Sequence, residues 1–468
     1  MFVDGDTYEF YDNVEGKIVS RFWKLQQIFE REINDSGMDV STAASSSQEI
    51  IAQAATAEHL FKKMFQDDSS SKSDEFDDDI VYVDEMEELF DNSESDTENG
   101  QMEADDAETD DAITVFRHHN DAIICGSLSN DGKIAVTGGQ DDVAFVWDTS
   151  SGEMIYKCSG HTDTIIFAEF NYDNSYLAVG DMNGFIQVWE MKSKVIVWDF
   201  NMGDAAWMKW HNLANVILAG STIGETYMWK IPSGECKVFQ GYGHKNETGA
   251  LTPDGKKLVA GYEDGTIRVL DLKGGIVESA IPANTAHSQN IICLECQVDG
   301  KLMMSAAQDG RTVISTVSNG KIINVLQKLQ ENNTVEIDKI DDEGAESEPR
   351  KNWVESIRFC RNLELHLAAT GTIEGELFIW DISKQVIRHK ITQESGIVKL
   401  EWIGNSSLLC TAGLDGIVRF YDARTSQCLK VLYGHSRSIL DLNIAKTQNK
   451  ILTTSDDGTA RIFDISIL

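Results

Sequence analysis

Eight times between residue 135 and the C-terminus, the chain repeats one phrase. A strand of small residues runs into an acidic turn with Gly, then a β-branched strand, then an aromatic or aliphatic residue usually followed by an acid. The copies are GGQDDVAFVWD ending at Asp148, GDMNGFIQVWE at Glu190, GSTIGETYMWK at Lys230 and GYEDGTIRVLD at Asp271. AAQDGRTVIST at Thr316, GTIEGELFIWD at Asp381, AGLDGIVRFYD at Asp422 and TSDDGTARIFD at Asp464 complete the set. The key position holds Trp147, Trp189, Trp229, Leu270, Ser315, Trp380, Tyr421 and Phe463, at steps of 42, 40, 41, 45, 65, 41 and 42 residues. A unit of about 40 residues cannot bury its apolar face alone, so it must stack on its neighbours.

A period near 40 with Gly-His and Trp-Asp marks is the signature of a four-stranded blade. The expected fold is all-β: an eight-bladed WD-repeat β-propeller over residues 112–468. In the first blade the inner strand is expected at 121–129, the second at 133–138, the third at 143–148 and the outer at 153–157. Asn130-Asp131-Gly132 and Ser151-Gly152 mark turns between them. The last repeat stops after its third strand. The segment AITVF at 112–116 is therefore expected to supply the missing outer strand, removing the free sheet edges and closing the ring. The step of 65 places an exposed acidic insertion at 327–350, with eight acids and three bases.

The repeat explains most of the conspicuous polar residues. Trp147, Trp189, Trp229 and Trp380 are expected to pack between blades, each indole N–H needing a partner. A loop His, a Ser or Thr on the second strand and a turn Asp should link to the indole. Gly160-His161, Gly243-His244 and Gly434-His435 carry the His mark, and His118-His119 stands in its place before the first blade. The eighth blade offers His435, Ser455 and Asp457; the second keeps His161, with Asn183 at the turn. Asp141, Asp264, Asp309, Asp415 and Asp457 suit acceptance of turn N–H groups.

No catalytic or metal constellation emerges, so the reading is non-enzymatic, with no cofactor. Cys293 and Cys296 lie three apart on an expected inner strand, where they face opposite ways, and no second Cys pair follows at zinc spacing. P-loop and nucleophile-elbow motifs are absent. No run of 18 apolar residues occurs, and the N-terminus lacks a secretory pattern, so reduced thiols in an intracellular protein are expected.

Charge points to the partner. The net charge is −37. Residues 1–110 hold 31 acids and 7 bases, and 67–111 hold 21 acids and one base, Lys72. The latter tract is expected to be disordered. Residues 1–66 carry two apolar stripes at helical spacing, Ile18 to Ile33 and Ile50 to Met64, and are expected to form an amphipathic helical arm. Nucleic acid suits such a field poorly, because phosphate binding is driven by Lys and Arg. A basic protein or peptide suits it well. Where inner strands begin, the blades should present Asp121, Asp163, Asp204 and Glu247, with Asp141 and Asp142 beside the first and Trp353 and Glu355 at the sixth. This acidic collar is the candidate binding site. Trp207, Trp210 and Trp402, on or near inner strands, are assigned to the core.

The phrases AVTGGQDDVAFVWDTSSGE at 135–153, GDMNGFIQVWE, GYEDGTIRVLDLK at 261–273, SGIVKLEW at 395–402 and LDGIVRFYDART at 414–425 resemble the angio-associated migratory cell protein family. The resemblance covers about residues 112–468 and the acidic segment before them; residues 1–66 depart from it. It implies an eight-bladed, non-catalytic propeller in the cytoplasm, with nuclear or cell-peripheral pools, tied in animals to cell migration and angiogenesis; the closed ring itself is expected to be monomeric. It also implies kinship with a fungal chaperone that holds the basic N-terminal segment of a newly made large-subunit ribosomal protein on an acidic propeller face. Two readings follow: a scaffold or chaperone for a basic segment in ribosome assembly, or a signalling adaptor.

Overall fold

The computed structural model describes residues 110–329, 352–447 and 449–466; the helical arm and nearly all of the acidic tract lie outside the described residues. The eight repeats form eight four-stranded antiparallel sheets, each meandering from inner strand a to outer strand d. Blade 1 comprises Ile123–Leu128, Ile134–Gly139, Ala144–Asp148 and Met154–Cys158, within a residue or two of the expected spans. Each inner strand packs against those of both neighbouring blades, and that of blade 1 against that of blade 8, so the ring is closed.

Thr114–Phe116 is strand d of blade 8, with Val115 opposite Arg461 and Phe116 opposite Ala460. Side chains reinforce the seam. Asp111 Oδ2 accepts the Tyr433 N–H at 2.9 Å, and Asp110 Oδ2 lies 3.4 Å from Arg461 Nε. Phe116 is fully buried and stacks on Trp147 with centroids 4.7 Å apart. One short strand thus completes blade 8 while its aromatic ring packs on blade 1.

The core is divided among the blade junctions. Eight apolar clusters each straddle one junction; Ile165, Leu177 and Val179 of blade 2, for example, pack on Val136, Ala144 and Val146 of blade 1. Strand b supplies the small residues that let sheets approach, and strand c supplies the large ones. Trp147, Trp229, Trp380 and Trp402 are among the largest fully buried side chains, and Trp207 and Trp210 are buried too. Such burial contributes about 2–3 kcal/mol for each large side chain.

The insertion begins later than the expected residue 327. Gln327 and Lys328 close strand d of blade 5, Ile322–Lys328, opposite Thr312 and Arg311. Burial alternates along IINVLQK, more and less exposed in turn, through its last two residues. Gln327 is buried, and its Oε1 accepts the Thr370 hydroxyl at 2.9 Å.

Candidate functional site

Every inner strand slips register at its second residue. A bulge re-aims the side chain it frees. Six blades place an apolar residue there: Ile124, Ile166, Ala206, Ile292, Val398 and Leu440. The other two place Glu247 and Glu355. Glu355 accepts the Trp353 indole N–H at 3.0 Å, and Glu247 lies 3.5 Å from Lys245 Nζ. These acids therefore belong to the strand ends. Asp121, Asp163 and Asp204 lie in the loops just ahead, two residues before the first inner-strand residue for Asp121 and Asp163 and one before for Asp204. The expected collar is not one register ring.

The structure gathers part of the collar. Asp142 occupies a left-handed turn position with φ 59°. Burial raises its carboxyl pKa, and the charges of Asp163, Asp141 and Asp181 add to the rise. Asp456 is raised too, first by burial; Arg437, 3.8 Å away, opposes this and Asp121 adds to it. Asp121 and Asp163 each accept the next residue's N–H at 2.8 Å. The acids thus crowd around blades 8, 1 and 2. Blade 4 presents Lys245 and blade 8 presents Arg437 at corresponding positions, so the collar is graded around the ring.

The two loop faces differ in sign. Among the described residues, the b–c turns and d–a loops carry fourteen Asp and Glu against three Lys and Arg. The a–b and c–d turns on the other face carry six against eleven. A face of one sign attracts and steers an oppositely charged ligand, with screening by salt over roughly 8–10 Å.

Asp141 is a bracing residue. Its side chain is 9% exposed, and His119 Nδ1 sits 2.9 Å from Oδ1. His119 Nε2 is 3.0 Å from Thr137 Oγ1. Blades 5 and 8 repeat this chain as His287–Asp309 with Ser305, and His435–Asp457 with Thr453. Burial works to raise the Asp457 pKa, but the bonds from His435 and Thr459 outweigh it and hold the carboxyl well below the usual range.

Four expectations about this network are corrected. In blade 8 the hydroxyl that meets His435 is Thr453, at 2.8 Å; Ser455 lies two residues on, at the strand end, where it accepts the Asp457 N–H. In blade 2 His161 pairs with Asp181 at 3.0 Å, while Asn183 holds the turn position. The acid has moved two residues back. In blade 4 the His register position is filled by Tyr242, whose hydroxyl donates to Asp264 at 3.1 Å and whose ring carries Arg268 at 3.5 Å. His244 falls two residues later and is 45% exposed. Finally, the indole N–H groups of Trp147, Trp189 and Trp229 have no hydrogen-bond partner, whereas Trp380 donates to Thr370 at 3.1 Å. Packing, not the polar chain, holds those three rings.

Sequence reasoning missed a belt of charges inside the channel. The fifth inner-strand residue is Glu169, Lys209, Glu295, Arg358 and Glu401 in blades 2, 3, 5, 6 and 7. Arg358 Nε donates to Glu401 at 2.9 Å, and Lys399 Nζ to Asp441 at 2.7 Å. Glu295 accepts the Phe359 N–H from the next blade. Burial pushes Glu169 and Glu295 up to about 7, with Lys209 and Arg358, respectively, opposing. Lining up the eight inner strands would have revealed the alternation of sign. Cys293 and Cys296 point toward opposite neighbours, Val354 and Ala250. Among the described residues, no three His, Cys, Asp or Glu side chains are placed to hold a metal ion, and no helix is long and apolar enough to cross a membrane.

Comparison with known proteins places this geometry among relatives. The WD domain, G-beta repeat, matches residues 111–148, 152–190, 235–271 and 426–464. The angio-associated migratory cell protein of Canis lupus familiaris is 41% identical over 76% of this chain and 80% of its own length. The ribosome assembly protein SQT1 of Saccharomyces cerevisiae is 22% identical over 83% of this chain and 91% of its own. Among solved structures, Chaetomium thermophilum Sqt1 bound to the N-terminus of the ribosomal protein L10 superposes with a TM-score of 0.64 at 20% identity. That match covers 76% of this chain and all of the other.

Proposed function

Since this chain belongs to the angio-associated migratory cell protein family of WD-repeat propellers, we propose that it is a non-enzymatic scaffold that captures a basic protein segment on its acidic loop face. The observation that carries this reading is the opposition of charge between the two faces. The finer proposal is that the client is a newly made large-subunit ribosomal protein; Chaetomium thermophilum Sqt1 bound to the N-terminus of the ribosomal protein L10 supports it. Unassembled ribosomal proteins expose basic tails that would otherwise bind RNA indiscriminately. A carboxylate-rich face screens such a tail, and release follows when RNA competes.

Asp121, Asp142, Asp163 and Asp204 are assigned to the client, with Glu247, Glu355 and Trp353 at the mouth of the channel. Charge reversal of Asp121, Asp163 and Asp204 together should abolish capture of a Lys/Arg-rich peptide by the full-length protein and leave its melting curve intact. Capture that survives at matched salt discards the proposal.

A second reading, a signalling adaptor in migration-type pathways, is favoured by the 41% identity to the canine relative. It assigns partners to residues 1–66 or to the insertion after blade 5, so deleting residues 1–66 should remove partners while the basic peptide still binds. We also propose a cytoplasmic location, checked by imaging the tagged chain.

A further inference from the structure

The face opposite the acidic loops holds a groove of about 710 Å³ between blades 3 and 4. It is bounded by the a–b turn of blade 3 and strand d of the same blade, Glu235–Phe239, and by the c–d turn of blade 4. Two features of its lining bear on what it could bind. Leu213 is 60% exposed at the lip, with Val216 and Met228 behind it, both half-buried. Leu213 therefore offers an apolar contact on the edge of a concave site.

The second feature is charge. Lys230 and Lys273 are exposed at the rim, and Lys237 is fixed in the wall by donating to the carbonyls of Leu272 at 3.0 Å and Lys273 at 2.8 Å. An ammonium has three N–H donors, so Lys237 keeps one beyond these two bonds. Glu235 is the one acid in the lining, which leaves a local excess of two positive charges on a chain of net charge −37.

We propose that this groove docks an acidic segment of a partner protein that carries a bulky apolar side chain. The apolar side chain lies against Leu213, Val216 and Met228, and flanking Asp or Glu residues pair with Lys230 and Lys273. Three lysines around an apolar floor are too few for a nucleic-acid track, which needs a basic stripe along its length. The site lies on the face opposite the acidic loops, so it does not depend on the client proposed there. The molecule could then hold a basic segment and an acidic one together.

The test uses the full-length protein and a fluorescein-labelled peptide of about twelve residues, rich in Asp and Glu with one Phe and one Leu, read by anisotropy at low and high salt. Saturable binding that weakens with salt is expected. Lys230→Glu with Lys273→Glu should weaken it at least tenfold, since reversal replaces attraction with repulsion at both rim positions. Leu213→Asp should weaken it severalfold, as should replacing the peptide's Phe and Leu with Ser. All three protein substitutions are at exposed positions, and an unchanged melting curve verifies folding. Absence of saturable binding overturns the proposal. So does binding that ignores the lysine reversals, equal binding of a basic peptide or of anionic vesicles, or self-association lost in the lysine variant.

Discussion

Asp142→Gly tests whether the acidic face is maintained at the expense of stability. Blade 1 holds Asp142 at φ 59°, where the other seven blades hold Gly184, Gly224, Gly265, Gly310, Gly375, Gly416 and Gly458 at φ 69–86°. A side chain is excluded outright from some of these sites; a Cβ on Gly184 would sit 1.7 Å from the Gly203 carbonyl oxygen. The left-handed conformation costs a non-glycine residue about 1 kcal/mol, and Asp lies at the lenient end. Asp142 also faces Asp141, Asp163 and Asp181, and its carboxyl pKa is raised. A native pKa above the unfolded value means that ionisation costs stability. This penalty is absent in acid and is complete once pH exceeds the native pKa. At neutral pH, Asp142→Gly should therefore stabilise the propeller by about 1 kcal/mol, seen as a later urea midpoint with an unchanged slope. Asp142→Asn, which tolerates the same backbone, should recover only the pH-dependent part. Both should bind a Lys/Arg-rich peptide several-fold more weakly, since one carboxylate contact is worth roughly 1 kcal/mol. If Asp142→Gly lowers stability, or leaves peptide affinity unchanged, the trade-off argument fails.

Val179 stands where blades 1, 5 and 8 place Thr137, Ser305 and Thr453, and His161 Nε2 is buried without a partner. Val179→Thr should stabilise by about 1 kcal/mol in chemical denaturation; a loss would show that the imidazole is turned away. Phe116→Ala should cost about 3–5 kcal/mol and should loosen the closing strand first, seen as early amide exchange at Thr114–Phe116. Burial pushes Glu295 up to about 7. Ionising it therefore lowers stability as pH rises from about 4.5 to 7. Glu295→Gln, which retains an acceptor for Phe359, should show little advantage at pH 4.5 and a gain of about 3 kcal/mol at pH 8; pH-independent behaviour would refute the assignment.

The architecture was legible because repeat spacing, turn chemistry and a truncated last unit all report the same geometry. The d strand borrowed from Thr114–Phe116 follows from counting strands. The polar network was less legible, because motif matching tracks residue type while bonding depends on register. Gly243-His244 looks like Gly160-His161, yet a two-residue offset gives the position to Tyr242. Ser455 and Thr453 are both hydroxyls near His435, and only strand pairing tells which one faces it. The channel belt escaped for another reason. Glu169, Lys209, Glu295, Arg358 and Glu401 are each unremarkable in their own strands, and become a ring only when the blades close.

Much of the acidity on the loop face could be a by-product of the fold, since b–c turns use an acid to accept turn N–H groups. That explanation accounts for Asp141, Asp264, Asp309, Asp415 and Asp457, each of which accepts an N–H in or beside its turn. Removing those five from the fourteen, together with Asp121, Asp163 and Glu263, which also accept loop N–H groups, leaves six acids against the same three bases. Asp142 and Asp456 carry raised pKa values, a sign of carboxylates placed where the fold disfavours their charge. The opposite face uses the same kind of tight turns and carries six acids against eleven bases. Turn chemistry therefore does not explain the asymmetry. A cation arriving from outside would relieve the crowding at Asp142 and Asp456, which is the physical ground for proposing a basic ligand here.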